Sequence, residues 1–256
     1  MIKGIAPGSI LQLMYIRNRM RTLGARTFFD LGAGQGNLSN MLLTMGMSGE
    51  GFDLGEEACA ANSHLNAEFI EAKKYSVRME SFLKADIREA RDVTISSMVI
   101  EHLSENEVDE YLSLCKRITK KEGHLVLVVP SSPKHWGIED ETAGHKRRYT
   151  RESLTELASR NGLEITHLAG LTYPLSNLVL PLSNHLVEKA ERDLMQLDEQ
   201  TRTIKSGKRS VQYKSEFPSA IGWMINEISL MPLYWLQLLS RDNANCLVLY
   251  AEVRNA

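Results

Sequence analysis

Residues 28–36 read Phe-Phe-Asp-Leu-Gly-Ala-Gly-Gln-Gly, an apolar run that reaches Asp30 and then sets glycines at every second position, Gly32, Gly34 and Gly36. Without a Cβ at these positions the backbone turns sharply and a ligand can lie directly on the main chain. The residues that follow, Leu38, Met41, Leu42 and Met45 with Gly46 as a stop, have the spacing of a helix that buries one face. The stretch thus predicts a strand, a ligand-cradling loop and a helix, the opening unit of an α/β sheet.

Two common phosphate-binding patterns are excluded by the same residues. G-x-G-x-x-G is not met, since Asn37 stands where the third glycine belongs, and no Gly-Lys-Ser/Thr follows. Asp30, two residues before the first glycine, would repel a pyrophosphate and favours an ammonium or sulfonium ligand. Asp-Leu-Gly-Ala-Gly-Gln-Gly resembles the first motif of class I S-adenosylmethionine-dependent methyltransferases, and three further elements follow in order. Asp53 closes the second strand in Glu-Gly-Phe-Asp-Leu; Asp86 and Ile87 end Ser-Phe-Leu-Lys-Ala-Asp-Ile; Val93 to Ile100 runs into Glu101-His102-Leu103. The last of these is similar to the "EHL" segment of small-molecule enzymes of the superfamily, of the ubiquinone-biosynthesis-like branch. The resemblance covers about residues 24–170 and the final strand. It implies S-adenosylmethionine as cofactor, Asp53 on the ribose hydroxyls and Asp86 on the adenine amino group. Asp30, Gly32, Gly34, Gly36, Leu54, Ile87 and Ser97 complete the cofactor set it implies. The fold it implies is a Rossmann-like doubly wound sheet, mostly parallel, with an antiparallel last strand.

Composition narrows the partners. With 30 basic and 32 acidic residues the net charge is −2, so no global field draws nucleic acid or an anionic membrane. Cys59, Cys115 and Cys246 lack C-x-x-C spacing, and Cys115 shares an apolar helical face with Val108, Leu112 and Ile118. They read as reduced core residues of a cytoplasmic protein. The amino terminus has no apolar h-region of a secretory signal.

Along the chain, Ser9 and Gln12 predict a capping box before a helix carrying Ile10, Leu13, Met14 and Met20. In the resembled family such a helix roofs the cofactor, with Tyr15 or Arg17 in reach of its methionine end; Arg17, Arg19 and Arg21 otherwise read as a solvated face. A helical region from Glu56 towards Lys74 and a strand near Ser81 to Ala85 come next. Ser104 and Glu107 form a second capping box, Gly123 precedes the buried strand His-Leu-Val-Leu-Val-Val, and Thr150 caps a helix closed by Asn161-Gly162. The expected cofactor domain spans 1–173 plus 246–256. Residues 174–245 read as a mainly helical insertion, a lid or homodimer face; the charged stretch through Lys205, Lys208 and Arg209 leads to the apolar run 221–239. Asn226, Glu227 and Pro232 speak against a membrane span there, and peripheral membrane contact is the less favoured reading.

Methyl transfer from a sulfonium asks mainly for alignment and, for a hydroxyl or amine, removal of a proton. His102 and His145 are the candidate catalytic residues, because imidazole titrates near neutrality. Lys146, Arg147, Arg148 and Tyr149 follow the fifth strand's exit loop and are expected to bind a carboxylate or phosphate on a small-molecule acceptor. His64, His124, His135, His167 and His185 read as surface or satisfied core residues. No histidine pair has H-x-x-x-H spacing, so no metal is expected. A nucleotide-dependent oxidoreductase, with Asp53 on a nicotinamide ribose, and a non-catalytic methyltransferase-like partner protein are the alternatives.

Overall fold

The computed structural model describes residues 2–3, 5–191, 216–217 and 225–255. Five strands run parallel: β2 (Thr27–Leu31), β3 (Ser48–Asp53), β4 (Tyr75–Met79), β5 (Arg91–Ser97) and β6 (Thr119–Pro130). With β7 (Glu164–Leu171) and β9 (Val248–Arg254) they make a seven-stranded sheet of order β4-β3-β2-β5-β6-β9-β7. β9 enters antiparallel between β6 and β7, pairing Arg254 with both His124 and Glu164. Ile2–Lys3 (β1) and Glu216–Phe217 (β8) form a separate two-stranded pair.

Strand alternation builds two cores. Phe29, Leu31, Leu125, Leu127 and Val129 face α5 (Glu105–Ile118) and α7 (Arg151–Arg160). Their neighbours Phe28, Val93, Ile95, Val126 and Val128 face α1 (Pro7–Leu23), α2 (Asn37–Thr44) and α9 (Glu227–Leu239). A sheet covered on both sides explains why 124–129 reads as an unbroken apolar run. The strand order reverses between β2 and β5, which opens a crevice at their carboxyl ends.

Several expectations need correction. The third strand is Tyr75–Met79, not Ser81 to Ala85, because Tyr75 buries its ring while 75–79 pairs with β3; Phe82 and Ala85 pack on the core from a turn. The region 56–74 breaks at Asn66 into α3 (Glu56–Leu65) and α4 (Ala67–Glu71), where the buried Asn66 amide donates to Asn62 Oδ1 at 2.8 Å. α1 starts with Pro7 in its first turn, so Ser9 and Gln12 lie inside the helix rather than capping it. Strand β6 begins directly at Thr119 and carries Gly123 within it. The box at Ser104/Glu107 and the Thr150 cap form as expected. All three cysteines are free and buried.

Between β7 and β9 the described residues hold α8 (Leu175–Glu191) and α9. Lys205, Lys208, Arg209 and residues 221–224 of the apolar run lie outside the described residues. No helix among the described residues is long and apolar enough to cross a membrane.

Candidate active site

The crevice at the carboxyl ends of β2 and β5 opens into a cavity of about 670 Å³. At one end stands the glycine loop, with Gly32, Gly34 and Gly36 at φ of 76°, 52° and 82°. A Cβ on Gly32 would meet the Val99 side chain at 2.5 Å, whereas one on Gly34 would meet nothing within 4 Å. Gly32 therefore lets the loop pass β5, and Gly34 presents bare main chain to open space. Asp53, at the end of β3, accepts from the amides of Gly34 and Gly55, both at 2.8 Å, one on each oxygen. Each carboxylate oxygen keeps a lone pair for a ligand, and the neighbouring Leu54 exposes an apolar side chain to the same cavity.

Asp30 and Gly36 support this end from beneath. Asp30 is buried and accepts from the Ser39 hydroxyl at 2.7 Å; burial pushes its carboxyl up to about 6. A Cβ on Gly36 would lie 2.2 Å from Asn62 Oδ1, so the helix break at Asn66 and the loop fit each other.

The other end is made of side chains from distant segments. Ser97, Met98 and His102 come from the exit of β5, Asp140 and His145 from α6 (Ile138–Ala143) and its exit, and Leu175, Val179, Leu182 and Leu186 from α8. His102 and His145 pack edge to face with ring centroids 4.8 Å apart. Asp140 accepts from His145 Nδ1 and from Arg148 Nε, both at 2.8 Å; these partners outweigh its burial and hold its carboxyl below the usual range. Glu101 is fully buried behind the histidines, and burial, aided by the Asp140 charge, pushes it up to about 8. Burial, with the neighbouring His145, pushes His102 down to about 4.

Of the residues expected at the site, Gly32, Gly34, Asp53, Leu54, Ser97, His102, His145 and Arg148 line the cavity. Asp86 does not: it is exposed and pairs with Arg88, while Ile87 packs against the core. Glu80 and Phe82 line the cavity instead. Placing the third strand at 75–79 puts an acid, Glu80, directly after its end, and that signal was available in the sequence. Lys146 lies off the cavity, its amide donating to the Glu101 carbonyl at 2.8 Å. Arg147 donates to the Leu103 carbonyl at 2.9 Å, and the buried Tyr149 hydroxyl to the Ile100 carbonyl at 3.3 Å. The cationic run thus binds its own protein, and Arg148 alone among these four reaches the cavity with its charge already taken by Asp140. Tyr15 and Arg17 are likewise elsewhere, on His167 and Glu227, and α1 offers Gly8, Ser9 and Gln12 to the cavity.

Backbone at this end departs from ordinary geometry. Met98, Ser132 and Thr172, at the exits of β5, β6 and β7, all have positive φ of 55–69°. Such conformations persist where the surroundings enforce them, and they cluster at ligand sites.

A family model described as a methyltransferase domain matches residues 12–168. Among solved structures, a Galdieria sulphuraria protein assigned as a sarcosine dimethylglycine methyltransferase superposes with TM-score 0.60 at 14% identity, over 96% of this chain and 85% of that one. Magnesium protoporphyrin IX methyltransferase from Synechocystis PCC 6803, with bound SAH, gives TM-score 0.54 at 15% identity, over 64% and 77%. The pyocyanin biosynthetic protein PhzM gives 0.50 at 19%, over 60% of this chain and only 50% of that one, so the chain spans about half its length. No curated protein matches the sequence.

Proposed function

This chain belongs to the methyltransferase-domain family, and on that premise we propose that it transfers a methyl group from S-adenosylmethionine to a small amphiphilic acceptor. The observation that carries the reading is one cavity with the glycine loop and Asp53 at one end and His102 and His145 at the other. When bound, S-adenosylmethionine supplies an already activated methyl group. The chain's residues then have three tasks. Asp53, with an unused lone pair on each oxygen, receives the ribose hydroxyls; Gly32 and Gly34 offer main chain to the methionine part; Leu54 and Phe82 flank the adenine, with Glu80 rather than Asp86 near its amino group. His102 and His145 orient the acceptor and take its proton.

The acceptor's apolar part rests on Leu175, Val179, Leu182 and Leu186 of α8. Support for an anionic acceptor group at Lys146, Arg147 and Arg148 is weak, because Arg147 and Arg148 already hold protein partners. α8, a described part of the expected 174–245 insertion, forms a wall of the cavity, and the enzyme is read as cytoplasmic. A nucleotide-dependent oxidoreductase is disfavoured by Asn37 in place of the third fingerprint glycine. Titration calorimetry tests the cofactor: S-adenosylhomocysteine binding at one per chain is expected, and NADH binding without it would overturn the reading. Mass spectrometry of copurifying ligands identifies the acceptor.

A further inference from the structure

Behind the acceptor end of the cavity, one donor atom each from Glu101, His102 and His145 lies within 4.8 Å of the others. We propose that these three residues form a site for a first-row divalent cation such as Mn²⁺, Fe²⁺ or Zn²⁺. No spacing along the chain announces it; the fold makes it, because the Lys146 amide donates to the Glu101 carbonyl at 2.8 Å and clamps the segment at 101–102 beside that at 145.

Hydrogen bonding fixes what each group can offer. His145 Nδ1 sits 2.8 Å from Asp140 Oδ1, and His102 Nδ1 sits 3.3 Å from the Gly144 carbonyl oxygen. Carboxylate and carbonyl oxygens only accept, so both Nδ1 atoms carry the hydrogen and both Nε2 atoms carry the lone pair. This is the support that metal-bound imidazoles receive, a far N–H donated to a carboxylate or carbonyl. Glu101 completes the set. It is fully buried, neither carboxylate oxygen receives a hydrogen bond, and Oε1 lies 3.9 Å from His145 Nε2. A Glu101 oxygen and the His145 Nε2 lone pair thus stand across a gap too long for a hydrogen bond, and a positive ion between them would bind both and keep Glu101 ionised. At metal–ligand lengths of about 2.0–2.2 Å to nitrogen and oxygen, two donors on opposite sides of one ion stand about 4 Å apart.

Two imidazoles among three donors favour transition metals over Mg²⁺ or Ca²⁺. The nearby charges are Asp140 and Arg148, paired with each other, and Lys146, which does not line the cavity. Since His102 and His145 line the cavity, the ion's remaining positions open towards the acceptor. There an ion would lower the pKa of an acceptor hydroxyl bound to it, easing the loss of its proton. This last step rests on the methyl-transfer reading; the site itself does not.

The test uses the full chain stripped with chelator and titrated with Mn²⁺ alone, then Zn²⁺ alone. One ion per chain is expected, with affinity falling about 10-fold or more in Glu101→Gln and in His145→Gln and unchanged in His167→Gln. Pulsed electron paramagnetic resonance of the Mn²⁺ form of the unaltered protein should show imidazole nitrogen couplings, a readout that holds even if a variant does not fold. Failure of both ions to bind stoichiometrically, absence of nitrogen couplings, or equal binding by the folded variants would each overturn the site. S-adenosylhomocysteine affinity measured on the same samples separates this outcome from failure of the methyl-transfer reading.

Discussion

The two ends of the cavity are built from different materials. The glycine-loop end is mostly main chain: Gly32 and Gly34 expose backbone, and Asp53 holds the loop through two amides. The histidine end is mostly side chain, gathered from residues 97–102, 140–148 and 172–186, and the Asp140 and Arg148 charges there are spent on each other before a ligand arrives. A main-chain site depends on a local run of residues and binds whatever fits that run. A side-chain site depends on the whole fold, so single changes there act first on stability.

The largest expected effect tests that contrast directly. Asp140→Ala removes the acceptor shared by His145 and Arg148 and leaves Arg148, which is 8% exposed, as a buried charge without its carboxylate. Breaking such a pair costs about 3–5 kcal/mol, readable as a shifted urea midpoint, while S-adenosylhomocysteine affinity of the folded protein should stay within about twofold. Loss of cofactor affinity at unchanged stability would erase the distinction between the ends. Asp53→Ala should do the reverse: calorimetry should show S-adenosylhomocysteine binding weakened by about 2–4 kcal/mol, from lost charge-assisted bonds and unpaired hydroxyls. Asp86→Ala, at an exposed pair, should change it by less than about 0.5 kcal/mol. Equal effects of the two would return Asp86 to the cofactor site.

Legibility follows the same division. The glycine loop, Asp53 and the strand–helix alternation were readable because they depend on neighbours in sequence, through spacing and alternation. The antiparallel last strand came from the family resemblance, and β9 bears it out. Glu80 was missed through a strand set six residues too late, since Phe82 and Ala85 are apolar enough to imitate one. The grouping of Glu101 with His102 and His145 was out of reach, because 42 residues, with α5, β6 and α6 among them, lie between His102 and His145. The pairing of the cations was equally hidden: a run such as Lys146-Arg147-Arg148 looks the same in sequence whether it faces a ligand or the protein's own carbonyls.

That last point gives a smaller test. Arg147 donates to the Leu103 carbonyl, which ties the segment after β6 to the exit of β5. Arg147→Ala should cost about 1.5 kcal/mol of stability, the scale of one hydrogen bond to a charged group, and leave the acceptor KM unchanged. A raised KM with unaltered stability would restore the run as an anion-binding element and make the two ends alike, each with residues held in reserve for ligand.

The smallest effect lies at the opposite edge of the same sheet, where a carboxylate serves the fold alone. Asp92 opens β5 and accepts from the amides of Arg26 and Thr27 at 2.9 and 2.8 Å and from Lys120 Nζ at 2.8 Å, joining the amino ends of β2, β5 and β6. Partial burial works against its charge, but these donors prevail and carry its pKa down to about 2. A carboxyl lower in the folded than in the unfolded chain stabilises above the unfolded value near 4 and loses that contribution as pH falls towards 2. Because Asp92 is 29% exposed, solvent screening keeps the contribution on the order of 1 kcal/mol. The difference in urea midpoint between the parent chain and Asp92→Asn should therefore be constant from pH 7 to 5 and shrink steadily between pH 4 and 2. Other carboxyls titrate in both proteins and cancel in the difference. A difference that does not change with pH would mean that packing, not charge, fastens this edge; one that grows on acidification would reverse the sign of the assignment. S-adenosylhomocysteine affinity at neutral pH should be the same in both, since the amino edge shares the sheet with the cavity but contributes no residue to it.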